Sequence, residues 1–323
     1  MKLLTLGIFL ATKAAGAAAL AMLNRTLRLD DLPPTLPGAS HDWPWKHGRV
    51  RYTTLGDGPP VVLLHGVHAA ASSFEMRQIF EPLSRHFTVY AVDLLGFGKS
   101  ERPDVHYSGD MYVELVRDFL TEIVRAPTSI VASSLSASYA ASAAASAPDS
   151  VERLVLICPT GEVGITSSGL RSELVYWFLR SPLNGEAAFN ALVSRASIRA
   201  FLEKRVYANP ARVTDVLVDQ QWATAHQPNA RFAPAAFIGR RLNIPLHARL
   251  ARAPRPALLV WGEASSFTPP SDATPLLAAS PRATLAVIPD AGGLPHDEQP
   301  ERFLEIVLPF LQGTPASHPA EPR

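Results

Sequence analysis

A serine, a histidine and several carboxylates occur where nucleophilic catalysis would need them. The stretch Ala132-Ser133-Ser134-Leu135-Ser136 follows a short apolar run and precedes an Ala-rich helical stretch. A serine on a turn between a strand and a helix can attack an acyl carbon when an adjacent base takes its proton. His296 follows the last apolar run of the chain and is the candidate for that base. These residues predict acyl transfer through a serine nucleophile.

Other chemistries find weaker support. His65 and His68 form the closest histidine pair, but their loop has no neighbouring carboxylate, whereas a catalytic metal usually has three protein ligands. The single cysteine, Cys158, excludes a disulfide framework and a cysteine-based metal cluster. Gly96-Phe97-Gly98 continues with Lys99 and opens no helix in the GxGxxG manner of a dinucleotide site. We therefore expect no metal and no cofactor.

Composition narrows the class of protein and partner. The chain has 323 residues, of which 47% are apolar and 18% are charged, so most of it can bury a core. Its length fits about two domains or one large one. The net charge of +1 lacks the basic excess of a nucleic-acid-binding surface. A small apolar or acyl substrate is the expected partner, and nucleic acid is not.

Six apolar runs alternate with helical patterns from about residue 48 onward, and they predict the strands. They are 60–64, 87–92, 129–132, 154–158, 257–261 and 284–288. Continuous apolar character is typical of strands buried on both faces of a parallel sheet. Amphipathic helices are predicted at 111–125 and 298–311. The alternation predicts an α/β fold with a doubly wound, mostly parallel sheet and its active site at the carboxyl ends of the strands.

One interval breaks the alternation. Residues 162–240 show helical patterns without a convincing strand and contain nine of the 26 aromatic residues, so they predict a helical cap between core segments 48–161 and 241–312. Four side chains are predicted to line a pocket beneath this cap: His68, Trp177, Phe178 and Trp222.

The two ends of the chain differ from the body. Within the amino-terminal segment 1–31, residues 3–23 are apolar except for Lys13 and two threonines. A membrane helix, a secretory signal and an amphipathic or buried helix all remain open for this segment, although a central lysine costs about 2.5–3.5 kcal/mol on membrane-insertion scales. The expected location is the cytoplasm or a membrane contacted through this segment, and export stays open. Residues 32–47 predict a Pro-rich linker without regular structure, and 313–323 a disordered tail.

The order of these landmarks resembles the α/β-hydrolase superfamily over about residues 48–312, in the cap-containing branch of esterases, haloperoxidases and epoxide hydrolases. The resemblance implies a cap inserted after the sixth family strand. It places the GxSxG nucleophile at Ser134, with small residues in place of both glycines. It also implies an oxyanion hole made by the backbone N–H groups of Leu135 and Val67. Haloalkane dehalogenase and epoxide hydrolase chemistry are disfavoured, because both use an aspartate at the elbow.

The chain departs from the family at the two remaining catalytic positions. Ser265 replaces the acid of a WGxxD stretch, and Glu263, Asp272 and Glu162 are the candidate substitutes. Gly293 replaces the usual histidine, and His296, three residues later, is either recruited as the base or purely structural.

Three functional hypotheses follow. The first is a serine-type hydrolase that acts on an ester-like or acyl substrate with an apolar part, through Ser134 and a displaced histidine. The alternative is a non-catalytic protein of this fold that binds an apolar ligand or partner under the cap. The third is another reaction on the same fold, such as acyl transfer, halide chemistry or lyase chemistry.

Overall fold

Eight strands form one sheet in the order β1-β2-β4-β3-β5-β6-β7-β8. The computed structural model describes residues 2–29, 31–32, 36–160 and 169–313, with the side chains of the first helix from residue 15 onward. The strands are β1 Ala39–Trp45, β2 Gly48–Leu55, β3 Pro60–Leu64, β4 Thr88–Val92, β5 Thr128–Ser133, β6 Val151–Ile157, β7 Ala257–Gly262 and β8 Ala283–Ile288.

The strands from β3 to β8 are parallel to one another, which confirms the predicted sheet. Each of the six predicted runs is a strand, with its ends shifted by at most three residues. Every residue of β5 and β7 is buried, because helices cover both faces of the sheet.

The predicted linker at residues 32–47 is wrong in part, because it contains β1, which pairs antiparallel with β2. The strand tolerates Pro44 because it lies at the edge of the sheet, where a missing N–H costs no inter-strand hydrogen bond. Trp43 and Trp45 anchor this edge, since both are buried and their indole N–H groups donate to Glu122 and Asp118 at 3.1 and 3.0 Å.

Thirteen α-helices lie in the described part of the chain. They are α1 Lys2–Leu27, α2 Arg77–Ser84, α3 Gly109–Phe119, α4 Ser136–Ser146, α5 Leu170–Arg180, α6 Asn184–Leu192, α7 Arg195–Phe201, α8 Asp215–Ala225, α9 Phe232–Ile238, α10 Leu246–Leu250, α11 Ala273–Ala279, α12 Pro295–Glu298 and α13 Pro300–Leu311. The helix predicted at 111–125 is α3 with the π-helical turn Leu120–Val124 that continues it. The helix predicted at 298–311 is divided at Gln299, because Pro300 begins a new helix there.

The alternating residues of β3 show how the core is divided. Val62 and Leu64 pack with the cluster on the face of α3, α4 and α10, and Val61 and Leu63 with the cluster on the face of α2 and α13. A third apolar cluster lies largely within the helices α6–α8. Between residues 169 and 240 the described chain contains helices and no strand.

The first helix rests against the cap through its carboxyl end. Asn24 Nδ2 donates to the Leu183 carbonyl at 3.0 Å, and Arg28 forms an ion pair with Glu186. None of the helices described is both long enough and apolar enough to cross a membrane. Of the predicted tail 313–323, all residues after Gly313 lie outside the described part of the chain.

Candidate active site

Ser134 occupies a sharp turn between β5 and α4. Its φ is +52°, in the left-handed region that non-glycine residues rarely adopt. The chain enters this turn from a fully buried strand and leaves it directly into a helix, with the Ser134 N–H donating to the Ile157 carbonyl at 2.9 Å. This backbone conformation is energetically unfavourable for serine, and it places the Ser134 side chain beyond the end of β5.

Small residues let the neighbouring loop approach this turn. The Ser136 hydroxyl, at the second glycine position of the motif, donates to the His65 carbonyl at 2.6 Å. A Cβ on Gly66 would lie only 3.3 Å from Ser134 Cβ, so the close approach needs glycine or a local shift. These contacts hold the loop after β3 against the turn at Ser134.

The two residues predicted to supply oxyanion donors flank Ser134. Leu135 follows the serine and is buried, and Val67 follows β3 and lines the cavity above it. His65 supports the loop, because its ring nitrogens lie 2.7 Å from the Gly66 carbonyl and 3.1 Å from the Leu94 N–H. Burial lowers the pKa of His65, which favours the neutral ring that accepts from Leu94.

A cavity of about 450 Å³ opens above Ser134. Its apolar lining comes from the cap, from the loops after β3, β7 and β8, and from α11. The apolar side chains are Val67, Phe201, Leu202, Val206, Phe237, Phe267, Leu276 and Leu294. Cys158 also lines the cavity, and burial raises the pKa of its thiol to about 12. This thiol is therefore neutral at physiological pH and a poor nucleophile.

The structure corrects three of the four predicted pocket residues. His68 lines the cavity, and its pKa is lowered to about 4 by burial and by the nearby His65. Trp177 and Phe178 lie outside the cavity and are 52% and 50% exposed on the cap. Trp222 is also outside, stacked on His226. The helical pattern identifies an aromatic-rich cap, but which faces turn inward depends on how its helices pack.

His296 is not brought to Ser134. It is fully buried outside the cavity lining, and neither ring nitrogen has a hydrogen-bond partner among the described residues. The side chain at hydrogen-bond distance from Ser134 Oγ is instead the Thr160 hydroxyl, at 3.3 Å. Burial lowers the pKa of His296 to about 4, so the ring is neutral at physiological pH.

The positions where the family places its acid and histidine do line the cavity. Ser265 is buried there, with its hydroxyl 3.4 Å from that of Thr268. Gly293 faces the cavity and donates its N–H to the Val206 carbonyl at 2.7 Å. These two positions therefore line the cavity without carrying a titratable side chain.

The three candidate acids have different placements. Glu263 is exposed and lies outside the cavity, whereas Asp272 lines it, and partial burial raises the Asp272 pKa. Glu162 lies outside the described residues. No candidate acid among the described residues hydrogen-bonds to His296.

Glu75 is a site residue that the sequence reasoning missed. It lines the cavity although it is only 8% exposed, and its carboxylate oxygens accept the Gly66 N–H at 3.1 and 3.2 Å. Its Oε1 atom lies 3.6 Å from His296 Nε2. Burial raises the pKa of Glu75 to about 7, although the Gly66 N–H opposes that shift. The signal in the sequence is a single acidic residue between Phe74 and Met76, just after the oxyanion loop.

A buried polar network holds the loop after β8 against the cap. Asp297 accepts from Arg77 at 2.8 Å and from the Tyr207 hydroxyl. The Glu298 carboxylate accepts the N–H groups of Ala208 and Asn209, at 2.8 and 3.0 Å, and also that of Gly292. The two carboxylates following His296 therefore position the loop that carries Gly293.

Metal binding finds no support in this geometry. Within the residues that the structure describes, no three histidine, cysteine, aspartate or glutamate side chains are placed to hold a metal ion.

Comparison with known proteins agrees with this architecture. The model of the alpha/beta hydrolase family matches residues 61–306. An uncharacterized protein of Mycobacterium tuberculosis is 30% identical over 302 residues, covering 90% of this chain and 84% of that protein. A 2-hydroxy-6-oxo-6-(2'-aminophenyl)hexa-2,4-dienoic acid hydrolase of Metapseudomonas resinovorans is 27% identical over 81% of this chain and 87% of that protein.

A solved structure extends the likeness to nearly the whole chain. A membrane phospholipase A, described as a bacterial virulence factor, matches with a TM-score of 0.71 and 24% identity over 97% of this chain and 99% of that one. The Metapseudomonas relative carries a hydrolase name, which supports a hydrolase function here. The chain belongs to the alpha/beta hydrolase family.

Proposed function

We propose that this protein is a serine hydrolase that cleaves an ester-like or other acyl substrate with an apolar acyl part. The observation that carries the proposal is the left-handed turn at Ser134, at the base of the cavity and beside the backbone of Val67 and Leu135. Two N–H donors next to a serine at the base of a cavity can stabilise the oxyanion that forms when the serine attacks a carbonyl carbon.

The cavity supports the class of substrate. Its volume of about 450 Å³ falls within the range of about 300–1,000 Å³ that is usual for small-molecule sites. The phenyl rings of Phe201, Phe237 and Phe267 give it an apolar wall, and the described lining contains few charged groups. An acyl chain or an aromatic acyl group would bury its surface there.

Labelling with a fluorophosphonate probe tests the nucleophile. We expect the native protein to be labelled and Ser134→Ala to be unlabelled. Ser146→Ala is the matched control, because it removes a serine hydroxyl at the far end of α4, outside the cavity lining. Absence of labelling under conditions that label an active esterase would overturn the proposal.

The alternative, a binding protein without catalysis, has its own supporting observation. Gly293 and Ser265 face the cavity at the two positions that should activate the serine, and His296 is buried elsewhere. A protein of this kind would show no labelling, but its melting temperature would rise with a fatty acyl, terpenoid or aromatic ligand. Labelling at Ser134 with turnover of an ester would contradict this alternative.

Membrane contact through residues 3–23 belongs to the same proposal. The carboxyl end of α1 is tied to the turn after α5, and apolar side chains are exposed near both helices. They are Met22, Leu23, Leu170, Leu174, Trp177 and Phe178. Aromatic residues beside apolar surface are typical of membrane interfaces.

Flotation with mixed phosphatidylcholine and phosphatidylglycerol vesicles tests this contact. We expect the native chain to float with the vesicles and the pair Trp177→Ser and Phe178→Ser to float less. Val216→Ser is the matched control, because Val216 is an exposed apolar residue on α8, outside the proposed contact surface. Equal flotation of all three proteins would remove Trp177 and Phe178 from the contact surface.

A further inference from the structure

A buried carboxyl group lies at the junction of the oxyanion loop and the nucleophile turn. Glu75 lies in the 3-10 turn Ser73–Met76 that precedes α2, and its carboxylate oxygens accept the Gly66 N–H at 3.1 and 3.2 Å. A buried carboxylic acid is costly to ionise, so a fold retains one without a full ion pair only where its neighbours compensate. The family comparison assigns this side chain no role.

Because Gly66 has no side chain, a small space lies beside it, and both Glu75 and Ser134 border that space. The point that a Cβ on Gly66 would occupy is 3.2 Å from Glu75 Oε2 and 3.3 Å from Ser134 Cβ. Both side chains also line the cavity. Glu75 and Ser134 therefore border the same space beside Gly66, and catalytic hydrogen bonds that are long or absent in an unliganded site commonly tighten only when substrate binds.

We infer that Glu75, rather than a histidine, is the proton acceptor of Ser134. The inference rests on the proposed serine hydrolase function. It assigns the missing base to a residue on the oxyanion side of the site, whereas the family's usual histidine position is occupied by Gly293.

The proposed reaction balances with these two residues and water. The Ser134 hydroxyl gives its proton to the Glu75 carboxylate while Oγ bonds to the acyl carbon. The bond to the leaving group then breaks, and Glu75 returns the proton to the departing oxygen. In the second half, Glu75 takes a proton from water, the hydroxide adds to the acyl carbon, and Ser134 leaves with that proton.

The charged groups around Glu75 favour its titration near neutral pH. The pKa of Glu75 is raised to about 7, because burial and the nearby Asp297 outweigh the hydrogen bonds from Ser133 and the Gly66 N–H and the charge of Arg77, all of which lower it. Arg77 is itself paired with Asp297 at 2.8 Å. His296, at 3.6 Å, is neutral because burial lowers its pKa to about 4, and the Cys158 thiol is neutral as well. A base with a pKa close to the working pH is the effective kind.

The pH dependence of fluorophosphonate labelling of the full chain tests the inference. The native rate should rise about tenfold for each pH unit up to about 7 and then level off, as the Glu75 carboxylate forms. Glu75→Gln should lower the rate above pH 7 by at least about 100-fold and remove the inflection. Glu75→Asp keeps the charge at a shorter reach, so it should restore the inflection at a reduced rate.

Glu81→Gln is the matched control, because it makes the same change at an exposed position on α2. Circular dichroism establishes that each variant is folded before its rate is compared. If Ser134 is labelled in the native protein but Glu75→Gln reacts at the native rate, or retains the inflection, the inference fails and the proposed function stands. If native Ser134 is not labelled, both fail together.

Discussion

The two sides of the site differ in what they require from the sequence. On one side, the loop after β3 and the turn at Ser134 act through backbone geometry and N–H groups. On the other side, the loops after β7 and β8 present Ser265 and Gly293 where the resemblance places an acid and a histidine. On the first side, the left-handed turn and the cavity-lining loop after β3 are both present. On the second side, the two loops line the cavity but carry no acid or histidine at these positions.

This difference shows which parts of a catalytic site tolerate substitution. The motif GxSxG is changed to Ala132 and Ser136 at its glycines, yet the left-handed turn at Ser134 is present. A substitution that still fits leaves the backbone N–H donor in place. Substitution of the side chain that accepts the proton abolishes proton transfer. A new base must then come from another element, and Glu75 on the first side is the group we propose.

The largest expected effect comes from placing an acid and a histidine at positions 265 and 293 on the second side. Introduced into the Glu75→Gln protein, which lacks the proposed base, Gly293→His combined with Ser265→Asp should raise hydrolysis of a short-chain aryl ester by about 10²–10⁴-fold, the usual contribution of a general base. A Cβ at residue 293 would meet Val206 O at 3.6 Å, an ordinary contact, so the substitution has room at its root. Adding Ser134→Ala is the control and should abolish the gain. A folded triple variant without any gain would show that the backbone of the second side has lost the geometry of a catalytic loop.

On the first side, titration of Glu75 should make the free energy of unfolding depend on pH. In the unfolded chain its carboxyl ionises near 4.5, but burial raises the pKa in the folded state to about 7. The folded state therefore holds a proton that the unfolded state has lost, and its stability falls as pH rises from about 4.5 to 7. Above pH 7 the buried Glu75 carboxylate lowers the free energy of unfolding by roughly 3 kcal/mol.

Glu75→Gln removes this cost, so it should be more stable than the native protein above pH 7 by up to about 3 kcal/mol, with the difference vanishing towards pH 4.5. Urea unfolding at several pH values measures the difference. His68 and His296 have lowered pKa values and therefore destabilise the fold as pH falls, but both proteins contain them, so their effects largely cancel. A pH-independent difference would mean that Glu75 titrates normally.

The adjacent glycines Gly292 and Gly293, on the second side, should differ in how much stability they lose on substitution by alanine. A Cβ at Gly292 would overlap the Val206 carbonyl and lie 2.8 Å from the Ala208 N atom, because the buried loop packs there against the cap. Gly292→Ala should lower the free energy of unfolding by about 1–3 kcal/mol, the usual cost of overpacking. Gly293→Ala should change it by less than about 0.5 kcal/mol. Equal decreases in the free energy of unfolding, measured with denaturant, would show that the cap does not pack tightly against Gly292.

The smallest expected effect is on the outer surface of the cap. Phe178 is half exposed and lies outside the cavity, so Phe178→Ala should change the free energy of unfolding by about 0.5 kcal/mol or less. Its rate of fluorophosphonate labelling should equal that of the native protein. A slower rate would place the exposed face of α5 within the functional site.

The sequence by itself determined the parallel sheet and the position of the left-handed turn at Ser134. Continuous apolar runs specify buried strands locally, and β3 has the bounds that its apolar run predicts. Ser134 could be located because its turn joins neighbouring elements, so the order of strand, small residues and helix is enough to mark it. The edge strand β1 was missed, because a proline in a short polar segment is compatible with a strand only where the sheet ends.

Only the tertiary structure decided which side chains meet. Glu75 and His296 are separated by more than two hundred residues, and the packing of α2 against α12 brings them within 3.6 Å. The same packing buries His296 away from Ser134, and the packing of the cap helices turns Trp177 and Phe178 outward. Local patterns carry the periodicity of each element, but the distance between groups far apart in the chain depends on how whole elements pack, which no local pattern contains.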